Sequence, residues 1–71
     1  MSVKFERIID DLIMRRKKLG ITQLELAEMA ELAQPAISRL ESKRTVPQLD
    51  TLIKVADALG CELKVMPNGT K

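Results

Sequence analysis

A chain of 71 residues has room for one small domain, which we place at residues 1–71, because a shorter piece would bury too little apolar surface to fold. Hydrophobic residues make up 45% of the chain but aromatic residues only 1%, so the core must be aliphatic, as in packed helices. One cysteine and no histidine exclude an internal disulfide and an ordinary zinc site, and a net charge of +2 alone says little about partners. The lone cysteine and the lack of a signal peptide or long apolar stretch predict a cytoplasmic chain that binds no membrane.

The first predicted helix runs from Val3 to Leu19 and ends at Gly20. Its apolar residues recur at spacings of three and four, and charged residues fill the other side. The last turn contains the run Arg-Arg-Lys-Lys at 15–18, where positive side chains face the negative end of the helix dipole. We therefore interpret this run as a feature that stabilises the helix rather than as a binding site.

Two short helices are predicted next. Thr22 is the N-cap of the first, because it forms a capping-box pattern with Glu25. The segment 31–33 must turn the chain before Pro35, since proline is tolerated in the first turn of a helix but not in its interior. The second short helix is predicted at 34–42, and its polar outer face consists of Gln34, Pro35, Ser38, Arg39 and Ser42.

The C-terminal third predicts one more helix and a strand. A basic loop ends at Pro47, and apolar residues from Leu49 to Leu59 mark a fourth helix that stops at Gly60. Residues 61–66 alternate apolar and charged side chains, which favours a strand, and 67–71 form a tail. The fold class is thus all-α, with four helices over 3–60 and a short C-terminal β-strand.

A single strand needs a partner, and no other segment of the chain has a strand pattern. We therefore expect residues 61–66 to pair with the same segment of a second copy, which places Leu63 and Val65 at the interface of a homodimer. An interface on the fourth helix is the alternative.

The two short helices and their turn predict a helix-turn-helix that inserts its second helix in the major groove of double-stranded DNA. Gln34 can bond both polar groups of adenine, Arg39 can make a two-pronged contact with guanine, and Ser38 can serve either base. Pro35 can contact a thymine methyl. A solvated helix face would show similar residues, but the adjacent capping box, turn and basic loop favour DNA binding.

Other residues are placed to contact the DNA backbone. Gln23 lies at the exposed start of the first short helix, and the basic loop follows the second. These candidate phosphate contacts are Gln23, Lys43, Arg44 and Thr45. Because one subunit would neutralise few phosphates, we expect two subunits to bind one duplex.

Three segments also resemble the Cro and phage-repressor (XRE) helix-turn-helix family. They are Thr22-Gln23-x-x-Leu26-Ala27, Gln34-Pro35-Ala36-Ile37-Ser38-Arg39-Leu40-Glu41 and Pro47-x-x-Asp50-Thr51-Leu52. The resemblance covers most of residues 5–60 and implies a lambda-repressor-like fold, the same base and phosphate contacts, and an ion pair between Arg16 and Glu41. The chain departs from the family at Glu31, where a turn glycine is usual, and at Ala33, where Ser or Thr usually caps the recognition helix.

The sequence therefore predicts a transcriptional regulator, a repressor, that binds a palindromic operator. An enzyme is disfavoured because the chain has no histidine, no cysteine with a basic partner and no glycine-rich phosphate loop, and no cofactor is predicted. The alternative is an antitoxin that binds a small toxin protein and regulates its own operon. The strand-like ending resembles antitoxin members of the family and some stand-alone regulators, rather than phage repressors with a fifth helix. A helix-turn-helix that serves only as a scaffold is a further possibility.

Overall fold

The computed structural model describes residues 3–67 and contains four α-helices in this range. They are α1 (Val3–Lys18), α2 (Gln23–Ala30), α3 (Gln34–Ser42) and α4 (Leu49–Ala58). The predicted all-α class is confirmed, and α3 has the predicted bounds. In the described range, no helix has both the length and the apolar character needed to cross a membrane.

The first two helix boundaries follow from local chemistry. Gly20 has a φ of 72°, a left-handed conformation that glycine adopts without steric cost, and the chain leaves α1 there. At the start of α2, the Glu25 backbone N–H donates to Thr22 Oγ1 at 3.0 Å and the Thr22 N–H donates to Glu25 Oε1 at 2.9 Å. Both halves of the predicted capping box are therefore present.

The turn between α2 and α3 is built on Glu31, which has a φ of 58°. The next residue, Leu32, donates its N–H to the carbonyl of Ala27 at 2.8 Å and so closes the end of α2. A side chain in this left-handed conformation carries a steric cost that glycine avoids. The turn thus keeps its shape although Glu31 replaces the glycine usual in the family that the sequence resembles.

The core is entirely aliphatic, as the composition requires. α2 packs against both α3 and α4, and α1 packs against α3. Ala33 is exposed and precedes α3 as its N-cap. The buried side chains are Ile9, Leu12, Leu26, Ala27, Ala30, Ile37, Leu40, Val55, Ala56 and Leu59.

The predicted C-terminal strand is absent from the described chain. Residues 61–67 have no regular secondary structure, because a strand must exchange hydrogen bonds with a second strand and residues 3–67 contain none. The segment starts from a fixed point, since the Cys61 N–H donates to the Ala56 carbonyl at 2.8 Å. Of the predicted tail, residues 68–71 lie outside the described residues.

Candidate nucleic-acid interface

The inner side of α3 is held to α1 by a hydrogen-bonded ion pair between Arg16 and Glu41. Arg16 donates from Nε to Glu41 Oε2 at 2.7 Å and from Nη2 to Oε1 at 3.1 Å. Its remaining nitrogen, Nη1, donates to the carbonyl of Ile21 at 2.8 Å. Only 12% of the Arg16 side chain and 10% of the Glu41 side chain are exposed. The pair that the resemblance implies thus fixes α3 against the end of α1.

Gln23 joins the same group of side chains. Its amide nitrogen donates to Glu41 Oε1 at 2.9 Å, which positions the half-buried side chain at the first residue of α2. An amide nitrogen has two hydrogens, so one N–H remains for an acceptor outside the protein. Gln23 is therefore held in place and still has a donor for an anion such as phosphate.

The outer face of α3 has the opposite character. Ile37 and Leu40 are buried on the inner side, whereas Gln34, Pro35, Ser38 and Arg39 are all exposed. Within residues 3–67, the side chains of Gln34, Ser38 and Arg39 make no hydrogen bond or ion pair. The three predicted polar base contacts thus lie together on one exposed surface with their donors and acceptors available.

Two shallow depressions border this outer face. The first is lined by Pro35, Ser38, Arg39, Ser42, Arg44 and Thr45. The second lies between α3 and α4 and is lined by Ala36, Arg39, Leu40, Thr45, Val46, Pro47, Gln48 and Thr51. Arg39 and Thr45 line both depressions, so the structure brings Arg44 and Thr45 next to the predicted base contacts.

Gln48 and Thr51 are polar residues beside Arg39 that the sequence analysis missed. They belong to the N-cap and first turn of α4, and Pro47 ends the loop immediately before them. Pro47 was a signal in the sequence for the start of α4, but not for the position of α4 beside Arg39. The candidate interface therefore extends from α3 onto the beginning of α4.

The Lys43 side chain points away from the outer face of α3 and toward α1. Its Nζ lies 2.7 Å from Asp10 Oδ1 on α1, and it lines neither depression. The hydrogen bond to Asp10 raises the pKa of Lys43 above its usual value, and the negative charges of Asp10 and Glu6 add to that increase against the effect of burial. Of the predicted phosphate contacts in the loop, Arg44 and Thr45 therefore lie beside the outer face of α3, whereas the Lys43 side chain contacts α1.

The predicted dimer residues are exposed. Val65 is fully exposed, and Leu63 is 38% exposed beside a shallow pocket that α1 shares with residues 61–63. A further feature was missed in the basic run 15–18, where Arg15 Nε donates to the carbonyl of Leu59 at 3.0 Å. Arg15 thereby links α1 by a hydrogen bond to the C-terminal end of α4.

A model of a helix-turn-helix family matches residues 12–65, which include α2, the turn and α3. The chain belongs to this helix-turn-helix family. The resemblance inferred from the sequence is confirmed.

Helix-turn-helix relatives include regulators and antitoxins. An uncharacterized HTH-type transcriptional regulator of Haemophilus influenzae is 42% identical over 60 residues, which are 84% of this chain and 61% of that protein. Antitoxin HigA1 of Mycobacterium tuberculosis is 35% identical over 60 residues, or 84% of this chain and 40% of that protein. The chain thus spans less than two thirds of the length of these two relatives.

A solved structure is also similar to this chain. It is a chain of a toxin-antitoxin module from Streptococcus pneumoniae, with a TM-score of 0.76 and 45% sequence identity. The match covers 87% of this chain and 68% of that chain. At this identity the similarity extends to the sequence as well as to the backbone.

Proposed function

We propose that this protein is a sequence-specific DNA-binding transcriptional regulator, a repressor, that binds a palindromic operator as a homodimer in the cytoplasm and has no enzymatic activity. The observation that carries the proposal is the contrast between the two sides of α3. Its inner side is fixed by buried side chains and by the Arg16–Glu41 pair, whereas the side chains of the predicted polar base contacts on its outer face have no hydrogen-bond partner among the described residues. A rigid helix with available donors is what the major groove requires.

The outer face supplies the base contacts in this proposal. Arg39 donates two parallel hydrogen bonds to guanine, Gln34 bonds the two polar groups of adenine, and Ser38 serves either base. Pro35 contacts a thymine methyl. Thr45 and Arg44 contact phosphates beside the first depression, and Gln23 donates its second N–H to a phosphate at the start of α2.

A homodimer is proposed because one subunit has few cations for phosphate, and two subunits on a palindrome double that number. Exposed apolar residues offer two surfaces, Leu63 and Val65 in the C-terminal segment and Leu49 and Ile53 on α4. Deleting residues 61–71 and measuring mass by sedimentation distinguishes them. A shift to monomer places the interface on the segment, and an undiminished dimer places it on α4.

The experiment for base recognition compares Arg39→Ala with Arg7→Ala. Both variants lose one arginine, but Arg7 is an exposed residue of α1 that lines neither depression. Arg39→Ala should reduce the preference for operator over random duplex by about fivefold to more than a hundredfold for each half-site, since a two-pronged base contact contributes ~1–3 kcal/mol. Equal preference in both variants would contradict the assignment of Arg39.

A second candidate function is that of an antitoxin that binds a small toxin protein and represses its own operon. The similarity to HigA1 and to a chain of a toxin-antitoxin module favours it. The test is to express the chain together with each reading frame adjacent to its gene and to purify it through a tag. A stable complex would support this function, and a chain that purifies alone while binding its operator would favour the stand-alone regulator.

A further inference from the structure

In the basic loop after α3, the side chains of the consecutive residues Lys43 and Arg44 point in different directions. Lys43 reaches Asp10 of α1 at 2.7 Å, whereas Arg44 lines the depression beside Ser38 and Arg39. In the described part of the chain, the Arg44 side chain forms no ion pair. The Lys43–Asp10 pair is partly exposed to solvent, so the loop has one cation with an intramolecular partner and one that forms no ion pair among the described residues.

The backbone of the loop fixes this divergence. Lys43 is in the left-handed conformation with a φ of 60°, and its N–H donates to the Leu40 carbonyl at 3.3 Å. The Ser42 hydroxyl donates to the Arg39 carbonyl at 2.6 Å and accepts the Arg44 N–H at 3.3 Å. These bonds fix the backbone of Ser42 and Arg44 on both sides of Lys43. The backbone of the turn and the contact with Asp10 therefore direct the Lys43 side chain toward α1.

We propose that Asp10 is a positioning residue that withholds Lys43 from the DNA backbone, which leaves Arg44 and Thr45 as the phosphate contacts of the loop. This inference rests on the proposed DNA binding. A phosphate that approached the ammonium of Lys43 would also approach the carboxylate of Asp10, and the like charges repel. Asp10 thereby limits the sequence-independent part of DNA affinity, which grows with each neutralised phosphate.

The dependence of operator affinity on salt measures the number of phosphates neutralised. In the full chain, Asp10→Asn should release Lys43 and steepen the slope of log K against log salt by about 0.9 for each subunit, or about 1.8 for a dimer. Adding Lys43→Ala to Asp10→Asn should restore the parent slope. Asp10→Glu keeps the carboxylate and should behave as the parent does.

Asp11→Asn is the matched control. It removes the same charge from the neighbouring residue, but Asp11 lies on the side of α1 that faces residues 61–63. Its slope should equal that of the parent. A steepening as large as that of Asp10→Asn would show a general effect of charge and would overturn the inference. Circular dichroism of all variants checks that the helices are retained.

Lys43→Ala in the parent distinguishes a failure of the proposed role of Asp10 from a failure of the proposed DNA binding. The salt slope should not change, because Lys43 contributes no phosphate contact while Asp10 is present. A decrease of about 0.9 for each subunit would overturn the role of Asp10 and leave the proposed function intact. A parent protein that binds no duplex specifically would overturn the proposed function, and the inference with it.

Discussion

The two helices of the helix-turn-helix begin in different ways, although both follow a residue in extended conformation. α2 starts with a complete capping box between Thr22 and Glu25. α3 follows Ala33, whose side chain makes no hydrogen bond to the helix. α3 is held instead by the burial of Ile37 and by Glu41. The start of α2 is therefore encoded locally, whereas the proposed recognition helix depends on tertiary contacts.

The largest effect should come from removing the tertiary contact of α3. Glu41→Ala leaves the largely buried Arg16 and the amide of Gln23 without their partner, which should lower the free energy of unfolding by about 3 kcal/mol. Urea denaturation measures the change. Glu28→Ala, at an exposed residue of α2, is the control and should change stability by less than ~0.5 kcal/mol. Equal effects in the two variants would mean that α3 does not depend on Glu41.

A smaller effect should come from removing the local signal of α2. Thr22→Ala removes the hydroxyl that accepts the Glu25 N–H and should lower the free energy of unfolding by ~1 kcal/mol. The control is Thr45→Ala, because Thr45 is exposed and caps no helix. If the two variants were equally stable in urea, the capping box would not stabilise α2.

Adding the missing cap to α3 should have an effect of opposite sign. Ala33→Ser supplies a hydroxyl at the N-cap, where Ala33 already has the extended φ of −77° and ψ of 146° that a cap requires. Stability should rise by about 0.5 kcal/mol, at the low end for N-caps, because tertiary contacts already fix the helix. Thermal unfolding measures the gain. A loss of stability would show that the N-cap site of α3 cannot accept a hydroxyl.

The smallest effect is a dependence on pH at the start of α2. The backbone N–H of Thr22, followed by its hydroxyl, holds the pKa of Glu25 below its ordinary value of 4.5. A lowered pKa in the folded state means that the ionised carboxylate stabilises the protein above pH 4.5 and that this contribution is lost as pH falls through the lower, folded pKa. Glu25→Gln should therefore be less stable than the parent at neutral pH and should approach it in acid. A difference that does not change with pH would contradict this role.

The sequence predicted those parts of the fold that depend on neighbouring residues. The capping box at Thr22, the stop at Gly20 and the proline in the first turn of α3 are local signals, and the helix boundaries follow from them. The outer face of α3 was predictable for the same reason, since helical periodicity assigns each residue to a side.

Contacts between distant residues were not predictable in the same way. Lys43 and Asp10 are 33 positions apart, and only the packing of α1 beside α3 brings them together. The bond from Arg15 to Leu59 spans 44 positions. The prediction of a strand at 61–66 was wrong for the single chain. An alternating pattern leads to a strand only where a second backbone is available for hydrogen bonding.

The decisive measurement is a selection of operators from random duplex DNA by the purified protein, with binding of the selected sequences followed across a salt series. We expect a palindromic consensus with two half-sites about 10 base pairs apart, and Arg39→Ala should prefer this consensus over random DNA less strongly than the parent does. Failure to enrich any sequence, with only weak binding that salt abolishes, would contradict the proposal that the outer face of α3 recognises DNA.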